Sequence, residues 1–159
     1  NHGLKTVAIN PGSDAVEKRT NPMIFSSAIN RLAAWISVKA IILGGPGEEE
    51  IADKIFKCIQ VPAVNLAGKT SLGEIVYVLN QVDLLITNDS GPMHIAAALK
   101  KPLVALFRSG NRKIFGPYGD FPKFRVMEIG VTKTTDNRFK YDRLGENIAV
   151  IGKEILEAT

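Results

Sequence analysis

The chain has 159 residues, 45% of them hydrophobic and 23% charged, with a formal net charge of +4. This balance excludes a disordered or collagen-like chain, and the length allows one α/β domain with a buried core while being short for two. The single cysteine, Cys58, rules out an internal disulfide framework and any multi-cysteine metal site. No apolar run approaches the roughly 20 residues needed to cross a bilayer, and the first residues carry no charged-then-apolar signal. The small positive excess suits an anionic ligand but is too scattered to argue for nucleic acid. A cytosolic, single-domain α/β protein is the expectation.

In chain order, short β-branched apolar runs alternate with segments of helical period, as in a parallel sheet covered on both faces. Residues 6–9 read as the first strand, which stops at the turn cluster Asn10-Pro11-Gly12-Ser13. Asn21 then fits an N-cap, with Pro22 at the first helical position and Phe25, Ala28, Ile29, Leu32 and Ile36 forming one stripe. Residues 40–43 make the second strand, broken by Gly44-Gly45-Pro46-Gly47. Glu48, Glu49 and Glu50 complement the positive end of a helix whose inner face is Ile51, Ile55 and Ile59. Residues 64–66 form a short third strand. Ser71-Leu72-Gly73-Glu74 fits a capping box, opening a helix with Leu72, Ile75, Val76 and Leu79 turned inward.

Residues 84–87 form the fourth strand, and Asn88-Asp89-Ser90-Gly91-Pro92 leads into a helix over 93–99. Lys100 and Lys101 suit that helix's negative end, and Pro102 stops it. Residues 103–107 read as the fifth strand, 108–122 as a long basic loop, and 124–129 as the sixth strand. Residues 130–145 are polar without a clear period, and 146–157 close the chain as a helix. This order predicts a doubly wound, mostly parallel, Rossmann-like α/β sheet whose ligands sit at the carboxyl ends of the strands.

The stretch 84–107 carries the strongest chemical signal. A strand ending in polar residues, a glycine turn and a helix start together offer free backbone N–H groups and a positive dipole end to an anion. Ser90 adds a hydroxyl, Gly91 permits close approach of a phosphate, and His94, four residues after Ser90, shares its helical face. The same residues admit a structural reading in which Asp89 or Ser90 caps the helix and His94 is partly buried. A nucleophilic serine is poorly supported, because the elbow glycines are replaced by Asn88 and Pro92. Gly44-Gly45-Pro46-Gly47 follows the second strand and is not a dinucleotide fingerprint after the first, which speaks against an NAD enzyme. His2 and His94 are the only histidines, so neither a metal nor a cofactor is expected.

Asp89-Ser90-Gly91-Pro92-Met93-His94-Ile95-Ala96-Ala97-Ala98, followed by Lys101-Pro102, resembles the D-[ST]-G-x-x-H-x-A-A signature of heptosyltransferase-type enzymes, glycosyltransferase family 9. Further blocks agree in order. Asn10-Pro11-Gly12-Ser13 with Lys18-Arg19 is similar to the family's P-G-[AS]…K-R segment, and Gly44-Gly45-Pro46-Gly47-Glu48 to its G-G-x-x-E turn. Residues 65–72 resemble its N-L-x-G-x-[TS]-S-L segment, and Gly116-Pro117-Tyr118-Gly119 its G-P-x-G element. After the fifth strand the likeness departs, since Arg108 stands where the family has a compact turn residue.

The resemblance implies one half of a GT-B architecture, in which two Rossmann-like domains face each other across a cleft. Residues 1–159 would form a single domain for the nucleotide-sugar donor, ADP-heptose in such enzymes. The amino-terminal acceptor domain, with its aspartate general base, has no counterpart here, so no catalytic residue is assigned and the chain is expected to be an excised half, inactive alone. Lys18 would neutralise the diphosphate, and Glu48 would accept hydrogen bonds from ribose hydroxyls. Asp89, Ser90, Gly91 and His94 would line the diphosphate and sugar, Thr70 would lie near the nucleotide, and Gly12 and Ser13 would shape the first loop. Without the resemblance, Lys18 reads equally as a solvated turn lysine and Glu48 as a first-turn acid. The implied reaction is inverting transfer to a growing lipopolysaccharide core at the cytoplasmic face of the inner membrane, with at most peripheral membrane contact. The alternatives are a non-catalytic glycosyltransferase-like module and a different α/β nucleotide enzyme.

Overall fold

A computed structural model of the chain describes residues 3–13, 19–107, 122–129 and 138–158. Strands β1 (Lys5–Asn10), β2 (Val38–Ile42), β3 (Ala63–Asn65), β4 (Leu84–Asn88), β5 (Leu103–Phe107) and β6 (Phe124–Glu128) form one sheet in the order β3-β2-β1-β4-β5-β6. Every pairing is parallel. Helices α1 (Pro22–Leu32), α2 (Glu49–Cys58), α3 (Leu72–Gln81), α4 (Gly91–Ala98) and α5 (Arg138–Glu157) complete the described secondary structure. The sheet is doubly wound, as the alternation of strands and helices predicts.

Two apolar layers hold it together. Val7, Ile9, Leu84, Ile86, Val104 and Leu106 face Phe25, Ile29, Leu32, Ile55 and Ile148 on the side of α1, α2 and α5. Ala8, Leu85, Leu103, Ala105 and Phe107 face Leu79, Met93, Ala96 and Ala97 on the side of α3 and α4. Central strands buried on both faces should read as apolar runs; β5 does throughout, and β4 does until it ends in Thr87 and Asn88. Chain order reverses between β1 and β4, whose register sets Asn10 opposite Thr87. The loops following these two strands therefore leave the sheet side by side, where ligands of such sheets bind.

Local signals act as read at several places. Asn21 Oδ1 accepts from the Met23 N–H at 2.9 Å with Pro22 at the helix start, and Ser71 and Glu74 form both bonds of the capping box. Others differ. Leu72 is 70% exposed and Val76 38%, because α3 turns Ile75, Val78 and Leu79 to the sheet and leaves the neighbouring flank to solvent. The closing helix begins at Arg138 instead of residue 146. Gly145 lies inside it, where an added Cβ would come within 2.7 Å of Ser27 Cβ on α1. This glycine allows two helices to touch; it does not break one.

Helix α4 also ends by a different device. Lys100 adopts φ +55, its N–H donates to Ala97 O at 3.0 Å, and the Lys101 N–H donates to Ala96 O at 2.9 Å. This pair of reversed bonds is the Schellman arrangement, with lysine in the left-handed position that glycine usually occupies. The backbone, more than charge, stops the helix. Lys100→Gly should raise unfolding free energy by about 1 kcal/mol in urea titration; an unchanged or lowered value would contradict the left-handed conformation.

Candidate functional site

Three turns converge at the carboxyl edge of the sheet and enclose a cavity of about 190 Å³. Gly12 and Ser13 come from the loop after β1, Gly44, Gly45 and Glu48 from the turn after β2, and Ser90 and Gly91 from the turn after β4. Asn10, Ile75 and Pro92 close the remaining wall. A larger open groove, about 670 Å³, lies elsewhere along α1 and contains none of these residues.

Glu48 precedes α2 but makes no capping bond. Its Oε2 instead accepts from the Gly45 N–H at 2.8 Å, which turns the carboxylate into the cavity, and its side chain is 15% exposed. Arg19 braces this corner: Nη2 lies 4.0 Å from Glu48 Oε1, and Nε donates to Ser13 O at 3.0 Å. Gly12 lies directly against the carboxylate, and a Cβ there would fall 2.1 Å from the Glu48 carboxyl carbon. Glu49 and Glu50 occupy the first turn of α2, so the dipole-complementing role belongs to them and Glu48 is held apart.

Ser90 stands at the N-cap of α4 in an extended conformation, yet its side chain makes no capping bond. Its Oγ accepts from Asn10 Nδ2 at 2.8 Å and donates to Asn88 O at 3.1 Å. The capping reading of Ser90 is thereby set aside: the hydroxyl ties the turn to β1 and leaves the helix end uncapped by it. Space beside Gly91 is open, with nothing within 4 Å of an added Cβ. A helix N-terminus whose Ser90 hydroxyl is turned away, beside open space, suits an anion.

Five of the residues singled out from sequence thus line one cavity: Gly12, Ser13, Glu48, Ser90 and Gly91. Asp89 is buried behind it, its carbonyl accepting from Ser13 Oγ at 3.0 Å. His94 is exposed on α4, so it is not the partly buried structural histidine of the alternative reading. Thr70 does not line the cavity; its Oγ1 is buried and has no hydrogen-bond partner among the described residues. Lys18, Arg108 and the segment 116–119 lie outside the described residues. The sequence reading did not single out Asn10, Thr87, Asn88 and Thr20 as site residues, although all four are buried polar groups at the edge of the site. Asn10 and Asn88 end their strands and Thr20 precedes α1, and what joins the four is hydrogen bonding between distant segments.

Among the described residues no group of three or more His, Cys, Asp or Glu could hold a metal ion, and no helix is long and apolar enough to cross a membrane. The family model for glycosyltransferase family 9 (heptosyltransferase) matches residues 2–143. Lipooligosaccharide heptosyltransferase 2 of Haemophilus influenzae is 41% identical over 75 residues, covering 47% of this chain and 22% of that protein. Lipopolysaccharide heptosyltransferase 3 of Escherichia coli is 31% identical over 121 residues, covering 74% of this chain and 35% of the relative. Among solved structures, E. coli ADP-heptose lipopolysaccharide heptosyltransferase II superposes with a TM-score of 0.82 at 24% identity, over 97% of this chain and 47% of that one. The chain spans less than half the length of each of these proteins.

Because Ser90 Oγ is a structural tie, Ser90→Ala should lower stability by about 1–2 kcal/mol by leaving Asn10 Nδ2 short of an acceptor. Denaturant unfolding measures this; an unchanged midpoint would show that the tie contributes nothing.

Proposed function

The chain belongs to glycosyltransferase family 9, the heptosyltransferase family, and from that premise we propose that residues 1–159 are the donor-binding domain of an inverting heptosyltransferase-like enzyme. The observation that carries this reading is a single cavity joining the Glu48 carboxylate to the start of α4, where Ser90 makes no capping bond. A carboxylate suits the hydroxyls of a ribose, and a helix N-terminus suits a diphosphate. Both are present on one nucleotide sugar. ADP-heptose is the donor we assign, supported by the neighbouring fold of an ADP-heptose enzyme.

Cavity size supports a shared site. At about 190 Å³ it falls below the roughly 300–1,000 Å³ of pockets that enclose a whole small ligand. An amino-terminal acceptor domain of the same parent chain supplies the opposite wall and the carboxylate base, in the GT-B arrangement. In the reaction, an acceptor hydroxyl loses its proton to that base and attacks the anomeric carbon as nucleoside diphosphate leaves. This chain contributes positioning and charge: Lys18 and the amides of α4 meet the negative charge that builds on the leaving group. Ser13 and Gly12 shape the loop above it, Thr70 lies on the nucleotide side, and Asp89 and His94 flank the diphosphate and sugar. No cofactor or metal is assigned. The acceptor is a lipopolysaccharide core, reached at the cytoplasmic face of the inner membrane by peripheral contact. Alone, the chain binds donor and transfers nothing.

Calorimetric titration of the chain with ADP, ADP-heptose and UDP-sugars should give heat with the adenine ligands; silence with all of them would overturn the reading. Lys18→Ala should weaken ADP about ten-fold or more and leave adenosine unchanged, as expected for loss of a charge-assisted contact. Gly12→Ala should weaken both ligands about equally, because the new methyl displaces the Glu48 carboxylate. The opposite assignment of these two effects would remove the roles given to Lys18 and Glu48.

A further inference from the structure

The Ser90 hydroxyl stands between two alternative sets of partners. Its backbone is extended at the N-cap of α4, where a serine oxygen ordinarily accepts from the amide of the second or third helical residue. Pro92 removes the first of these donors, so the Met93 N–H is the one that a capping hydroxyl would serve. Ser90 Oγ turns the other way, toward β1, where it accepts from Asn10 Nδ2 at 2.8 Å and donates to Asn88 O at 3.1 Å. Thr87 Oγ1 lies 3.1 Å from it, but the threonine proton is committed to Asn88 O at 2.7 Å. Among the described residues, the donor that holds Ser90 Oγ on this side is therefore Asn10.

An N-cap hydroxyl and a bound anion serve the same end of a helix. A hydroxyl rotated onto α4 would set its oxygen where an anion needs to lie, beside Gly91, at a place that is otherwise open. Asn10 ends β1, is buried and lines the same cavity, so the sheet fixes where its amide stands. We propose that Asn10 is a positioning residue for the anionic end of the ligand: its amide holds the Ser90 hydroxyl against β1 and so keeps the start of α4 clear. Ser90 is then a built-in competitor of the anion, restrained by a residue of the neighbouring strand. Leucine at position 10 has similar bulk and no donor, which frees Ser90 Oγ to take the Met93 N–H instead. This deepens the donor-binding reading and rests on it for the identity of the anion, whereas the choice between the two seats of the hydroxyl does not.

The test places Asn10→Leu in the parent chain and in a Ser90→Ala background. Three-bond couplings report the Ser90 χ1 rotamer without ligand, and titration with ADP and adenosine reports binding. Asn10→Leu should move roughly four-fifths of Ser90 from the β1-facing rotamer to the α4-facing one, given the strong preference for serine as a cap. ADP should then bind about five-fold more weakly, because apparent affinity scales with the fraction of chain left competent. In the Ser90→Ala background the same substitution should change ADP affinity by less than about two-fold, since no hydroxyl remains to compete. Adenosine, which has no phosphate for the helix to meet, should stay within about two-fold in every variant. An unmoved Ser90 rotamer, or an equal ADP loss in both backgrounds, would overturn the proposal; the second result is what a direct contact or a merely structural role of Asn10 gives. Should Asn10→Leu unfold the chain, Asn10→Ala decides by the same two readouts. A parent chain that binds neither ligand would remove the donor-binding reading, while the rotamer would still decide whether Asn10 holds the hydroxyl.

Discussion

Strands β1 and β4 run parallel and adjacent at the point where the sheet's order reverses, so their carboxyl ends share one edge. At that edge the apolar interior gives way to Asn10, Thr87 and Asn88, which remain buried. Buried amides and hydroxyls are costly unless every group is paired. Here the pairing runs across the two connections: Asn10 to Ser90, Ser13 to Asp89, and Asn88 to both Pro11 and Thr20. Shifting either connection breaks these bonds. The rest of the site inherits its geometry from this join.

What the join leaves open is as informative as what it closes. Ser90 is drawn back toward β1 and Asn88, which withholds its hydroxyl from the start of α4. Glu48 is drawn back toward Gly45, and its carboxylate rests against Gly12. Two polar surfaces of opposite character, a positive helix end and a carboxylate, consequently border one cavity. On the proposed reading, these two surfaces meet the two ends of a ligand that bears both hydroxyls and phosphate. The chain spans less than half the length of these relatives, and the proposed reading gives this wall to one side of a cleft.

Much of this was legible in the residues themselves. The helix starts at Asn21-Pro22 and Ser71-Glu74 are local chemistry, and β5 reads directly because burial on both faces leaves no polar residue in it. Glycine and charge were read less well. Gly145 reads as a break in polar sequence, yet it lies within a helix because it meets Ser27 across a helix contact, a tertiary fact absent from periodicity. Lys100 in a left-handed conformation is equally invisible to propensity. Ile75 and Leu79 pack as predicted, but Leu72 and Val76 do not, since spacing defines an apolar arc and only packing defines which part of it is covered. At the site, the motif residues Gly12, Ser13, Glu48, Ser90 and Gly91 are legible, whereas Asn10, Thr20, Thr87 and Asn88 act through bonds between distant segments and leave no local pattern.

The most direct measurement of the central claim is an amide resonance map of the chain during ADP titration. The account predicts shifts concentrated at Gly12, Ser13, Gly45, Gly91 and Met93, around the cavity at the carboxyl edge of the sheet. Shifts confined instead to the groove along α1, at Asn30, Arg31, Cys58 and Gln60, would contradict it.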